Sequence, residues 1–215
     1  ATLGGCIAND VHGKNHHSDG CFGEHVTSLR LRLGDGRGVD CSETERSDLF
    51  FATIGGMGLT GHILEVSVRM RAVPSPWILQ ETIRIRSTED FLEKMHRAGQ
   101  EWPMTVGWMD CFSQGKGEGR GLLICGRWAT ADEAPARVPR PFRRITLPKW
   151  VPSWLLNPLT GRLGYMALYH LTARNRRSVV HPEAFFTPLD KVLEWNRIYG
   201  RAGLTQYQCV FPYSA

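Results

Sequence analysis

The chain has 215 residues and carries a net charge of +5, long enough to bury a sizeable core as one large domain or two small ones. It contains no apolar run of the roughly eighteen residues a bilayer-spanning helix needs, and Ala1 does not open a secretory leader, so a cytoplasmic protein, or one peripheral at the inner membrane, is expected. Its six cysteines, at 6, 21, 41, 111, 125 and 209, show no short paired spacing, which argues against a disulfide framework and for reduced, mostly buried thiols.

In chain order, Ala1 to His25 places Gly4-Gly5 before Cys6-Ile7-Ala8-Asn9-Asp10-Val11-His12-Gly13-Lys14-Asn15-His16-His17 and closes on Ser18-Asp19-Gly20-Cys21-Phe22-Gly23. It has neither a helical nor a strand period. Glycine lets backbone approach a ligand closely, so the stretch reads as a loop laid against a flat or phosphorylated cofactor. Two other readings compete. His12, His16, His17 and Cys21 have zinc-ligand chemistry, although no pair shows the tight spacing of structural zinc sites, and a glycine-rich loop can simply be solvated.

Ser28 to Leu33 alternates apolar and polar as a half-buried strand; Gly34 to Gly38 is a turn and Val39 to Cys41 a return strand. Ser42 to Ser47 supplies a cap for a helical turn from Asp48 to Thr53. Gly55-Gly56-Met57-Gly58-Leu59-Thr60-Gly61 is a tight turn feeding a strand from Ile63 to Met70. By itself it is a weak phosphate-loop signal, since no helix with a leading lysine follows.

Val73-Pro74-Ser75-Pro76 marks a domain boundary, dividing the chain into 1–73 and 74–215. Beyond it a strand from Trp77 to Arg86 puts Leu79, Ile83 and Ile85 on one face. Ser87 or Thr88 caps a helix with the stripe Phe91, Leu92, Met95 and Ala98, stopping at Gly99. Strands from Met104 to Phe112 and Leu122 to Ala129 flank a hairpin at Gly115 to Gly121. The pattern is α+β around an antiparallel sheet.

Between Glu133 and Glu183 there is no acidic residue but nine basic ones: Arg137, Arg140, Arg143, Arg144, Lys149, Arg162, Arg174, Arg176 and Arg177. Pro135 to Arg177, with its prolines and with Trp150 and Trp154, fits no regular element well and reads as a lid, with short helices at Ser153 to Leu156 and Tyr165 to Leu171. Arginine forks suit phosphate oxygens, and tryptophan beside lysine suits a membrane interface. A basic aromatic segment also suits nucleic acid, but its prolines and clustered leucines favour an apolar surface, so a peripheral membrane contact through 137–177 and no nucleic acid is the reading, with a plain solvated loop as the other. A helix from Pro188 to Tyr199, with Leu189, Val192, Leu193 and Trp195 inward and Gly200 as its stop, and a strand from Thr205 to Phe211 complete the chain.

Three blocks carry a resemblance. Thr2-Leu3-Gly4-Gly5-Cys6-Ile7-Ala8 with His12-Gly13-Lys14-Asn15-His16-His17-Ser18, then Asp48 to Ile63, then Glu194-Trp195-Asn196-Arg197 with Gln206-Tyr207-Gln208, resemble the vanillyl-alcohol oxidase superfamily, closest to its decaprenylphosphoryl-ribose oxidase branch. The resemblance implies the second half of a PCMH-type FAD-binding domain followed by an antiparallel-sheet substrate (cap) domain with flanking helices. It implies FAD against Thr2, Leu3, Gly4, Gly5, Asn9, Asp10, Val11, His12 and Ile63, with the Gly55 to Gly61 turn as the second wall of the flavin site. His12 would stabilise negative charge on the reduced ring, with no covalent link there. Lys14, Trp108, Gln206 and Gln208 fall on the substrate side, no metal is implied, and no residue of the chain is assigned as catalytic.

The activity so implied is oxidation of the 2-hydroxyl of a polyprenyl-phosphate pentose, a cell-wall arabinan precursor, giving the keto intermediate of an epimerisation completed by a reductase partner. Alternatives are oxidation of a soluble alditol, aldonolactone or sugar acid, and a non-catalytic membrane-associating module. The family's other cofactor half would precede Ala1 and its catalytic lysine and tyrosine would follow Ala215, so the chain reads as an internal piece that is inactive alone.

Overall fold

The computed structural model of the chain describes residues 2–111, 115, 118–140, 143–150, 157–172, 176–203 and 205. A three-stranded antiparallel sheet has the order β2-β1-β3, with β1 Val26–Arg32, β2 Gly38–Ser42 and β3 His62–Val68. A register shift between Val26 and Ser28 inserts one residue into the two-residue alternation, so Val26 and Leu29 both point inward although they are an odd number apart. With Leu31 and Cys41 they form a core closed by Ile7 of α1 (Leu3–Ala8) and Phe50 of α3 (Ser47–Thr53).

The opening stretch, expected as an irregular loop, contains three helical turns: α1, α2 (His16–Asp19) and a 3₁₀ turn at Phe22–His25. Its glycines do not prevent this, because Thr2 caps α1 through a hydrogen bond from the Gly5 amide to Oγ1 (3.1 Å) and Ile7 anchors the turn in the core. The expected serine cap on α3 is also corrected. Arg46 precedes the helix in a left-handed conformation without a side-chain cap, while Ser42 Oγ accepts from the amides of Thr44 and Glu45 in a turn of its own.

The second sheet has the order β5-β6-β4-β8, all antiparallel: β4 Ile78–Ile85, β5 Met104–Met109, β6 Gly121–Trp128 and β8 Arg176–Val180. Helix α4 (Thr88–Glu101), N-capped by Ser87, lays Phe91, Met95 and Ala98 against Leu79, Ile83, Ile85, Leu123 and Cys125. Leu92 is not part of that stripe and stands exposed. Gly99 does not end α4; the helix continues until buried Trp102 donates back to the Ala98 carbonyl. Phe185 of α6 (Pro182–Phe186) packs on the opposite face with Ile78 and Met104, and α5 (Pro158–Leu171) is tied to the sheet at Arg84, Ile85 and Trp108.

The stretch read as an irregular lid thus contains α5, which includes the whole helix expected from Tyr165 to Leu171 and begins earlier, at Pro158, together with the start of β8 and the short β7 (Ile145–Thr146). The proposed turn at Ser153 to Leu156 lies outside the described residues. The helix expected from Pro188 to Tyr199 is instead a 3₁₀ turn (Pro188–Lys191), a two-residue β9 (Val192–Leu193) parallel to β7, and a second 3₁₀ segment (Trp195–Ala202) broken at Gly200. Glu194 takes a left-handed conformation, which stops any helix there, and the residues expected to face inward, Leu189, Leu193 and Trp195, are exposed. Among the five described cysteines, all free, only Cys41 and Cys125 are buried, and Cys111 is exposed.

Strand β5 is an edge of its sheet, and the opening segment covers it. The Thr105 amide donates to the Lys14 carbonyl (2.8 Å), Ser18 Oγ to the Pro103 carbonyl (3.0 Å) and His17 Nε2 to the Trp102 carbonyl (2.8 Å). An otherwise open edge is thereby satisfied. On the α4 face of β5, a Cβ at Gly107 would stand 2.5 Å from the Phe91 ring. Gly107→Ala is expected to destabilise the protein by about 1–3 kcal/mol through overpacking, measured as a lower urea midpoint, with Phe91→Leu in the same chain restoring part of the loss.

Candidate functional site

The two glycine-rich segments meet. The Gly55 amide donates to the Ile7 carbonyl (3.0 Å) and the Met57 amide to the Ala8 carbonyl (2.8 Å). Between them lies an open cleft of about 490 Å³ lined by Thr2, Gly4, Gly5 and Ala8 on one side and Thr53, Gly58, Gly61, His62 and Ile63 on the other. Its walls are nearly bare backbone. A Cβ at Gly4 would stand 3.6 Å from Ile63 Cβ, so any longer side chain there would reach across the gap. Such a cradle suits a flat ring or a diphosphate approached by main chain. Thr53, buried and hydrogen-bonded to the Leu49 carbonyl (2.7 Å) and to Thr60 Oγ1 (2.9 Å), holds the turn in place.

The other proposed cofactor residues take different positions. Leu3 extends its side chain outward from α1. Asn9 closes α1, its Nδ2 donating to the Gly5 carbonyl (2.8 Å). Asp10, in a left-handed conformation, accepts the Gly23 amide at Oδ1 (2.8 Å). Val11 exchanges backbone bonds with Cys6 and Phe22. None of these four lines the cleft.

His12 opens a second recess, of about 550 Å³, with Gly13, Lys14, His16, His17, Met95, Thr105, Val106, Gly107 and Phe186. It is the seam where the opening segment meets β5 and α4. Lys14 Nζ donates to the Phe186 carbonyl (2.9 Å) and sits 5.5 Å from the Phe185 ring centroid. Burial pushes its pKa below the ordinary lysine value. The His12 and His16 rings lie 4.9 Å apart. Trp108 sits two residues beyond Val106 on the same strand and does not line the recess; it pairs with Leu122, and its carbonyl accepts the Tyr165 hydroxyl (2.5 Å). Burial raises the Tyr165 pKa to about 12. Gln206 and Gln208 lie outside the described residues.

Asp19 anchors the far end of the segment. A hydrogen bond from Asn15, then Arg71 (2.9 Å), holds its carboxyl below the usual range. Burial, followed by the carboxylates of Asp10 and Glu24, raises the Cys21 thiol, which disfavours the thiolate a metal would need. Among the described residues no group of three His, Cys, Asp or Glu side chains is disposed to hold a metal ion.

Relatives of this chain include proteins named as oxidases. The chain is 35% identical over 223 aligned positions, covering all of it and 48% of the relative, to decaprenylphosphoryl-β-D-ribose oxidase of Mycolicibacterium smegmatis. An uncharacterised protein of Streptomyces coelicolor is 29% identical over 97% of the chain and 59% of its own length. A putative D-arabinono-1,4-lactone oxidase of Neurospora crassa is 34% identical over 34% of the chain and 13% of its own length. No protein-family model matches. The resemblance carried by the three sequence blocks therefore extends along the whole chain, which is a relative of the mycobacterial sugar oxidase and spans about half the length of the curated relatives it matches in full.

Sequence reading put Gly58 and Gly61 in the second wall but did not single out Ala8, Thr53 and His62 of the first recess. His16, His17, Met95, Thr105 and Phe186 carry no local signal, because only packing brings α4 and α6 to the opening segment. Asp10→Ala is expected to cost about 1–3 kcal/mol by stranding the Gly23 amide, and Asp10→Asn, which keeps the acceptor, to cost less, both read by urea denaturation. The Lys14 shift has a defined sign: its folded-state pKa lies below the unfolded value, so the unfolded chain holds the proton more tightly and stability rises with pH between the two values. Lys14→Met is expected to remove that alkaline rise in a stability-against-pH series.

Proposed function

We propose that this chain contributes one wall of an FAD site and the adjoining substrate recess of an oxidoreductase acting on a sugar hydroxyl, with the 2-hydroxyl of a polyprenyl-phosphate pentose as its substrate. The observation carrying this reading is the shared wall. One segment, Thr2 to His17, lines both recesses, so a flat cofactor in the first and a sugar in the second would share a backbone support. The match of the whole chain to about half of a decaprenylphosphoryl-ribose oxidase supports the substrate class.

Bound FAD would supply the acceptor for the hydride leaving the carbinol carbon. The protein's part is placement. Thr2, Gly4, Gly5 and Ile63 hold the flat group, with Asn9, Asp10 and Val11 bracing the loop behind them. His12, which lines the second recess, would stabilise negative charge on a reduced cofactor. Lys14, already engaged by a carbonyl at the recess wall, would donate to substrate oxygens, with Gln206 and Gln208 as further substrate-side candidates. The keto product would pass to a reductase partner to complete an epimerisation. The local match to a lactone oxidase favours a second reading, oxidation of a soluble sugar derivative.

The full-length protein is expected to be yellow as purified and to bleach anaerobically with the lipid-linked pentose phosphate. Equal bleaching by soluble alditols or lactones would select the second reading, and a colourless protein that takes up no FAD would remove both. Gly4→Leu should lower flavin content several-fold with little change in thermal midpoint. Lys14→Met should keep the flavin band and lower kcat/KM by about ten- to a hundred-fold, on the order of losing one charged hydrogen bond.

A further inference from the structure

Lys14 is a cation held by neutral groups. Its Nζ donates to the Phe186 carbonyl (2.9 Å) and stands 5.5 Å from the centroid of the Phe185 ring, within the range at which an aromatic face attracts an ammonium. Burial lowers its pKa with no carboxylate acting against it among the described residues. An ammonium has three N–H donors. The carbonyl takes one, and the others are left for a ligand in the recess that Lys14 lines. A carboxylate anchor would cancel the charge, whereas a carbonyl and a ring face fix the head and leave its charge to whatever enters.

Both anchors belong to α6, and α6 is held at its two ends. At its start, His181 Nδ1 accepts the Glu183 amide (3.1 Å) and the His181 ring meets Trp77 edge-on at 6.2 Å. The preceding residue, Val180 of β8, is paired with Ile78 of β4. At its end, Phe185 is 3% exposed and packs on Ile78 and Met104. Its ring lies over Gly126 of β6, which stands between Met104 of β5 and Gln80 of β4 in the sheet. A Cβ at Gly126 would be 2.4 Å from Phe185 Cζ, a distance no packed side chain tolerates. Gly126 is not among the positive-φ glycines, so it serves space and not backbone conformation.

We propose that α6 aims Lys14 at the ligand, with Phe185 as the positioning residue and Gly126 as the gap in the sheet that lets its ring stand there. Neither lines the recess; both act through Lys14. The inference rests on the reading of this recess as the substrate side and deepens it: the ligand is one that offers oxygen lone pairs or an anionic group to an ammonium already fixed in place.

The test is flavin bleaching of the full-length protein by the lipid-linked pentose phosphate, with thermal midpoints measured alongside. Phe185→Leu is expected to lower kcat/KM about three- to tenfold. In a Lys14→Met background it should have almost no further effect, because a residue that works through Lys14 has nothing left to position. Gly126→Ala should lower both the midpoint and kcat/KM by overpacking. Adding Phe185→Leu to it should return the midpoint while kcat/KM stays low. Where Phe185→Leu folds poorly, a ring-fluorinated phenylalanine in place of Phe185 keeps the shape, weakens the negative ring face, and should lower kcat/KM in step with the number of fluorines. Losses that simply add to that of Lys14→Met, fluorination without effect, or a Gly126→Ala/Phe185→Leu protein that regains kcat/KM together with its midpoint each overturn the proposal while leaving the substrate reading intact. An unsubstituted protein that bleaches with no sugar overturns that reading, and this role of α6 with it.

Discussion

The arrangement depends on the double attachment of the opening segment. Ile7 is buried in the core of the three-stranded sheet, and Lys14, His17 and Ser18 close the free edge of β5 in the four-stranded one. An unpaired edge invites pairing with other chains, and here nearby backbone and side chains occupy it. The same residues that satisfy the edge set the distance between the two sheets. Both recesses are consequences of this docking: one forms where the segment meets the Gly55 to Gly61 turn, the other where it meets β5.

That attachment also explains why polar residues in the segment divide their work. Asn9, Asp10, Asn15 and Asp19 are occupied with the backbone or with each other, holding three short turns that have too few residues to stand alone. Thr2, which caps α1, lines a nearly featureless wall with Gly4 and Gly5, while His12 and Lys14 line the neighbouring recess. A flavin oxidoreductase asks for this division, since the cofactor carries the chemistry and the protein supplies position and electrostatics.

On the far side of the four-stranded sheet the economy is reversed. α5 is tethered by hydroxyl and guanidinium groups, so its leucines are left outward. Tyr169 lies between the guanidinium groups of Arg84 and Arg120, at 5.1 and 5.3 Å, and Arg120 in turn neutralises the buried Asp110 (2.8 Å). This paired cluster stands in for the apolar contacts such a helix usually makes. The outward stripe lies within the stretch of sequence between Glu133 and Glu183 that has no acidic residue.

The sequence by itself determined the α+β class, the strands of both sheets other than β8 to within a few residues, helix α4 and its cap, and the two glycine-rich walls, because each is written in local periodicity, capping residues or turn chemistry. It also carried the kinship, through blocks whose order survives along the chain. Packing decided what local pattern could not: that Ile7 turns a glycine-rich stretch into a helix, that a left-handed Glu194 breaks an apparent amphipathic helix into 3₁₀ turns, and that Asp10 braces the loop from a position outside the cleft. The second recess was a tertiary decision altogether. Met95, Thr105 and Phe186 come from three separate elements with no shared spacing, and they meet His12 and Lys14 only because the opening segment lies along the edge of β5.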